Sequence, residues 1–197
     1  MKKKILILGM AIMMVAGISA CNASSKTASN ETTTTESKQA DAKAEDSKEA
    51  DSKNDEVKFP EFTAKTVTGE DISSDIFKDS KLTVVNVWGS WCGPCVQEIP
   101  ELQKLYESMK EKDVNVIGLA QDAGTDLDSV KEIIDKNKVT YQNIIPEGVT
   151  EDVVMSLMAF PTTFFVDSDR NVVGVIQGAR NLEAFTSAVE SVLATLK

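Results

Sequence analysis

The stretch WGSWCGPCVQEIP, residues 88–100, holds two of the three cysteines in this 197-residue chain, Cys92 and Cys95, with two residues between them. Thiols at that spacing can hold a metal, cross-link a fold, or cycle between dithiol and disulfide. A structural zinc takes four ligands from Cys, His or carboxylate, and the chain has no histidine. A disulfide across three residues closes too small a loop to stabilise much. Redox exchange is the use these residues favour, and no metal or cofactor beyond a redox-active disulfide is expected.

The flanks say how the pair is held. LTVVNVW (82–88) is a short, nearly continuous apolar run rich in Val, as a strand buried on both faces is. After the cysteines, Ile99, Leu102, Leu105, Tyr106 and Met109 recur three or four apart, the stripe of a helix with one buried side. Cys92 then sits between strand and helix, where unpaired N–H groups and the helix dipole stabilise a thiolate. A thiol with an ordinary pKa of about 8.5 is only a few per cent ionised at pH 7, and one lowered to about 7 is half ionised. Cys92 is the expected nucleophile. Cys95, one turn into the helix, is the better shielded thiol, placed to attack a mixed disulfide and release the product. Pro94 suits a first helical turn, where the N–H it lacks has no intrahelical partner.

Outward from that unit, VNVIGLA (114–120) reads as a second buried strand, so strand, helix and strand follow in the order of a parallel pair with a crossover. DLDSVKEIIDKNK (126–138) offers a helix with Val130, Ile133 and Ile134 inward, and VTYQNII (139–145) an extended segment. TTFFVD (162–167), the polar turn SDRN and VVGVIQG (172–178) form an antiparallel hairpin. A closing helix from about Asn181 carries Leu182, Phe185, Val189, Val192, Leu193 and Leu196 on one face. The order gives a mixed sheet flanked by helices, an α/β domain. Met155 and Met158, at helical spacing, read as core filling.

The ends carry other signals. Lys2, Lys3 and Lys4 precede the apolar run ILILGMAIMMVAGI and then SAC, which is the pattern of a secretory signal with its small-residue cleavage site. The run is shorter than the roughly 20 apolar residues of a spanning helix. From Asn22 to about Glu56 there is no aromatic residue, Gly or Pro. Such a composition cannot bury enough apolar surface to offset the ordering entropy, so a disordered tether is expected. Its root-mean-square reach is roughly 30 to 35 Å. The three expected segments are a signal at 1–20, the residue Cys21 with a tether to 56, and one domain at 57–197. The formal net charge of −10 argues against nucleic acid as a partner.

WCGPC (91–95), followed much later by FPTTFFVD (160–167), resembles the thioredoxin superfamily, and more narrowly its membrane-anchored extracytoplasmic branch of TlpA and ResA type. The resemblance runs from about Phe59 to Lys197. It implies the thioredoxin fold, with an N-terminal β extension and a central insertion from about Ala123 to Met158. It further implies that Pro161 is cis and lies against the disulfide, with the Phe160 backbone offered to an extended substrate. Trp91, Gly93 and Pro94 complete the expected substrate-contacting surface. Asn86 stands where thioredoxin has a buried acid, six before the first cysteine. Glu98 matches a glutamate of ResA-like proteins near the disulfide, and Pro100 fits the same branch. Glu98 either tunes the thiols or moves a proton; the plain alternative is a solvated carboxylate in a helix's first turns. Gly93 departs from ResA, which has an acid there, so narrow substrate selection does not carry over.

Ile18, Ser19, Ala20 and Cys21 resemble the bacterial lipobox, in which the cysteine is acylated and becomes the mature N-terminus. That implies a lipid anchor at the extracytoplasmic face of a membrane; the alternative is an ordinary signal whose cleavage leaves Cys21 free. The activity implied is reduction of disulfides in exported proteins, such as apocytochrome c or a methionine sulfoxide reductase, with a CcdA-like membrane protein as electron donor. The rivals are an oxidant of DsbA type, a peroxidase and a non-catalytic binding module. Peroxidases of this fold have a threonine three before the active cysteine, where this chain has Gly89.

Overall fold

The computed structural model describes residues 57–196. The expected signal, Cys21 and the tether lie outside them. The central strand β3 (Leu82–Trp88) is buried at every position, which is why its sequence shows no polar alternation. It pairs in parallel with β4 (Val114–Ala120) through the crossover helix α1 (Gly93–Met109). On its other side it pairs antiparallel with β6 (Thr162–Asp167), and β6 with β7 (Val172–Gln177). β7 is the edge, and its residues alternate between half-buried and exposed.

The central segment is part of the sheet. Its helix α2 (Leu127–Lys136) leads to β5 (Gln142–Ile145), which lies parallel beside β4. β5 in turn carries the N-terminal hairpin of β1 (Thr63–Thr66) and β2 (Asp71–Ser73), so the order across seven strands is β2-β1-β5-β4-β3-β6-β7. Only four residues of the expected extended run 139–145 become strand. A seven-residue helix, α3 (Val149–Met155), precedes β6, and α4 (Leu182–Leu193) closes the fold behind the N-cap Asn181.

Alternation along β3 sorts the core into two faces. Val85 and Val87 point into a cluster with Phe59, Phe62, Phe77, Ile117 and Leu119. Leu82 and Val84 point the other way, against Leu102 and Leu105 of α1 and Phe185 and Val189 of α4. By the same alternation Asn86 and Trp88 share the α1 side, and this puts two polar groups beneath the cysteine pair.

Methionines 155 and 158 do not fill the core. Met155 is 73% exposed and Met158 96% exposed, whereas Val154, next to Met155 in the chain, is buried at 3%. α3 is too short to present a second covered face, and it anchors itself through Thr150 and Val154.

Candidate functional site

β3 ends at Trp88, and the chain turns through Gly89, Ser90 and Trp91 before entering α1. That turn is held from the end of β4. The Ser90 N–H donates to Asp122 Oδ1 at 3.1 Å, and the Ser90 hydroxyl makes a short bond to Asp122 Oδ2. Trp91 Nε1 donates to Gln121 Oε1 at 2.8 Å, and the Cys92 N–H to the Gly89 carbonyl at 3.1 Å. A Cβ on Gly89 would come within 2.6 Å of Trp91 Nε1, so the indole folds back only over a glycine.

Cys92 is the N-cap of α1, and its Sγ accepts from the Cys95 N–H at 3.3 Å. The two sulfurs are joined in a disulfide with Cα atoms 5.2 Å apart. Cys92 retains 5% exposure and Cys95 none, the asymmetry expected of an attacking and a resolving thiol. Gly93 and Pro94 are exposed at the rim. Across from them the Phe160–Pro161 peptide bond is cis, as the resemblance implied. The Phe160 ring meets Trp91 edge-on at 5.5 Å, and Trp91 is 62% exposed. Among the described residues, neither the N–H nor the C=O of Phe160 has a hydrogen-bond partner.

Trp88 closes the floor. Its Nε1 donates to Asn143 Oδ1 on β5 at 2.9 Å. The pair fits because residue 118 is glycine; a Cβ there would lie 2.0 Å from that same oxygen.

Glu98 is not a solvated helix-turn carboxylate. It is 2% exposed, one turn past Cys95. Its Oε1 accepts from the Asn86 side-chain amide at 2.8 Å, and its Oε2 from the Arg180 backbone N–H at 3.0 Å. The Asn86 amide also donates to Thr163 Oγ1 at 3.0 Å, its cross-strand neighbour. Asn86 Oδ1 itself has no partner among the described residues.

Burial pushes Glu98 up to about 7, against the opposing pull of the Arg180 N–H, the Asn86 amide and the Arg180 charge. In the unfolded chain the same group ionises near its ordinary value of about 4.3. The folded chain therefore holds the proton more tightly, and this contribution to stability is complete below about pH 4 and declines as pH rises. Above about pH 7 the folded state carries a penalty of roughly 3 kcal/mol for the buried charge. Glu98→Gln, which cannot ionise, is expected to gain stability relative to wild type between pH 5 and pH 8. Urea midpoints at the two pH values check this, and a difference that does not change with pH overturns it.

Among the described residues no three His, Cys, Asp or Glu side chains are grouped to hold a metal ion. The residues singled out by sequence, Cys92, Cys95, Glu98, Trp91, Gly93, Pro94, Phe160 and Pro161, come together in the fold at the ends of β3 and β6. Asp122, Gln121, Asn143, Thr163 and Arg180 join them without having stood out in the sequence. The only signal for Asp122 is an acid just beyond a buried strand.

A two-cysteine motif capping a crossover helix, faced by a cis-proline on a mixed sheet, defines a thioredoxin-fold thiol-disulfide oxidoreductase. More particularly, the chain belongs to the AhpC/TSA family, which matches residues 56–175. It is 32% identical over 124 residues to the thiol-disulfide oxidoreductase ResA of Bacillus thuringiensis subsp. konkukian (strain 97-27), covering 63% of this chain and 70% of that protein. It is also 32% identical over 119 residues to the thioredoxin-like protein YneN of Bacillus subtilis (strain 168), covering 60% and 66%. A thiol:disulfide interchange protein of the thioredoxin family from Chlorobium tepidum TLS superposes with a TM-score of 0.61 at 27% identity, over 69% of this chain and 95% of that one. StoA from Bacillus subtilis shares the fold, with a TM-score of 0.56 at 24% identity over 66% and 96%.

Proposed function

We propose that the chain is an exported, lipid-anchored reductase of disulfides in other extracytoplasmic proteins. Cys92 is the nucleophile and Cys95 the resolving thiol. Trp91, Gly93, Pro94, Phe160 and Pro161 receive the substrate, whose extended backbone pairs with the free N–H and C=O of Phe160. Residues 1–20 direct export, Cys21 carries the anchor, and 21–56 form the tether of the domain at 57–197. Spent disulfide is re-reduced by a CcdA-like membrane protein. The substrates are of the kind that needs free thiols outside the cytoplasm, apocytochrome c or a methionine sulfoxide reductase.

The observation that carries the direction is the buried Glu98 one turn beneath the pair. Cβ atoms three apart on a helix lie about 5–6 Å from each other. A buried carboxylate in this neighbourhood disfavours thiolate in the reduced pair and, to the extent that the pair ionises, destabilises it relative to the disulfide. The pair is thereby made more reducing. The Gly-Pro dipeptide between the cysteines, which resembles that of thioredoxin, supports the same direction.

The test is the reduction potential of the full chain, equilibrated with dithiol or glutathione buffers. A value at or below about −230 mV is expected, toward thioredoxin at about −270 mV. A value near about −120 mV, that of DsbA, makes the protein an oxidant and overturns the reading. Glu98→Gln at pH 8 is expected to raise the potential by about 30 mV or more, a tenfold change in equilibrium. An unchanged potential removes Glu98 from the mechanism.

A further inference from the structure

The last turn of α3 and the loop to Phe160 leave an apolar shoulder uncovered beside the disulfide. Met158 stands two residues before Phe160, so their Cα atoms are at most about 7 Å apart. It is 96% exposed, and Met155 at the end of α3 is 73% exposed. Two large apolar side chains this bare stand close in the chain to Phe160, whose ring meets the exposed Trp91, and together they offer an apolar surface at the rim of the site. The same segment is acidic. Glu151 and Asp152 on α3 are exposed, and no Lys or Arg occurs from residue 139 to residue 169; Glu147, before α3, has Lys65 beside it.

We propose that this shoulder docks an extended segment of the substrate that carries apolar side chains and basic residues close to its cysteine. The inference rests on the reading of the chain as a disulfide reductase and names the class of sequence it accepts. Three features agree on that occupant. The free N–H and C=O of Phe160 pair with an extended backbone and not with a helix. The methionines are unbranched and polarizable, so they mould to apolar side chains of different shapes, as a surface serving several substrates must. The acids complement Lys or Arg and repel acidic segments. A natively folded partner presents no such strand, so the preferred substrate is unfolded or locally extended at its cysteine.

Binding can be measured apart from chemistry. The full chain carrying Cys92→Ser and Cys95→Ser is titrated with two serine-substituted peptides of equal length, one flanked by Leu and Lys and the other by Ser and Asp, while indole fluorescence is followed. Trp91 is the exposed indole at the site, since Trp88 is fully buried. The Leu/Lys peptide is expected to bind about tenfold more tightly. Adding Met155→Gln with Met158→Gln is expected to remove most of that preference. Adding Glu151→Lys with Asp152→Lys is expected to invert the charge part of it, and in wild-type sequence that part weakens in high salt. Equal affinity for the two peptides overturns the proposal, as does a preference that survives both double substitutions. Separately, the cysteine-intact chain is assayed on oxidised glutathione and insulin. Failure to reduce either counts against the reductase reading, while the peptide titration still decides the docking surface.

Discussion

Cys95→Ser is expected to accumulate covalent adducts with substrate proteins that dithiothreitol releases, whereas Cys92→Ser forms none and loses exchange to the uncatalysed background. The electron count behind this is simple. The Cys92 thiolate attacks one sulfur of a substrate disulfide, the S–S bond breaks, and the second substrate sulfur leaves as a thiolate that takes a proton. Cys95, once deprotonated, attacks Cys92 Sγ, the mixed disulfide breaks, and the first substrate sulfur leaves. Two electrons have passed to the substrate, and the pair is left as the disulfide seen in the structure. A serine at 95 cannot perform the second attack, so the reaction stops at the mixed disulfide. The assignment follows from access, because Cys92 keeps some exposure and receives the Cys95 N–H, while Cys95 within α1 has none and packs against Trp88 and Ile99. Adducts on Cys92→Ser instead would exchange the two roles. Non-reducing electrophoresis after acid quenching reads either outcome.

Phe77→Ala is expected to cost about 3–5 kcal/mol of stability, a large share of what holds a domain of this size folded. Phe77 is fully buried in the 3₁₀ turn Ser74–Asp79 that follows β2. Its ring lies 5.4 Å from that of Phe59 and 6.2 Å from that of Phe62, and Phe59 reaches Phe164 of β6 at 6.0 Å. The cluster therefore joins the N-terminal extension to the antiparallel half of the sheet. The hole left by alanine would be lined by rings fixed on separate elements, so it cannot collapse fully, and the lost contacts add to the lost transfer energy. A lower urea midpoint at unchanged slope measures the effect. A loss under about 1 kcal/mol would show that the extension contributes little to the fold.

What the sequence could convey was set by how local each interaction is. The strand 82–88 is legible because burial on both faces removes polar residues from it, and the 162–177 hairpin because its turn residues stand between two β-branched runs. β1 and β2 do not stand out as separate strands because four and three residues are too few to show a period. Met155 and Met158 mislead because helical spacing reports which residues share a side of a helix, not whether anything packs on that side. The cysteine pair and its proline are recognisable as motifs, yet the burial of Glu98 is not. That burial depends on Asn86, 12 residues before it, and on a backbone group at position 180, 82 residues after it. Trp88 with Asn143 and Ser90 with Asp122 likewise pair across 55 and 32 residues, and only the sheet order brings them together.

The bond from position 180 has an implication for how this molecule tolerates change. Half of the hydrogen bonding to the Glu98 carboxyl is made by main chain, at a residue whose own side chain turns back to the carbonyls of Gly178 and Ala179. Any amino acid other than proline keeps that N–H. Replacing Arg180 removes its charge from the neighbourhood of Glu98 but leaves the N–H in place, whereas replacing Asn86 removes the bond itself, although both serve one carboxyl. The main-chain part of this support is therefore hidden from comparison of side chains.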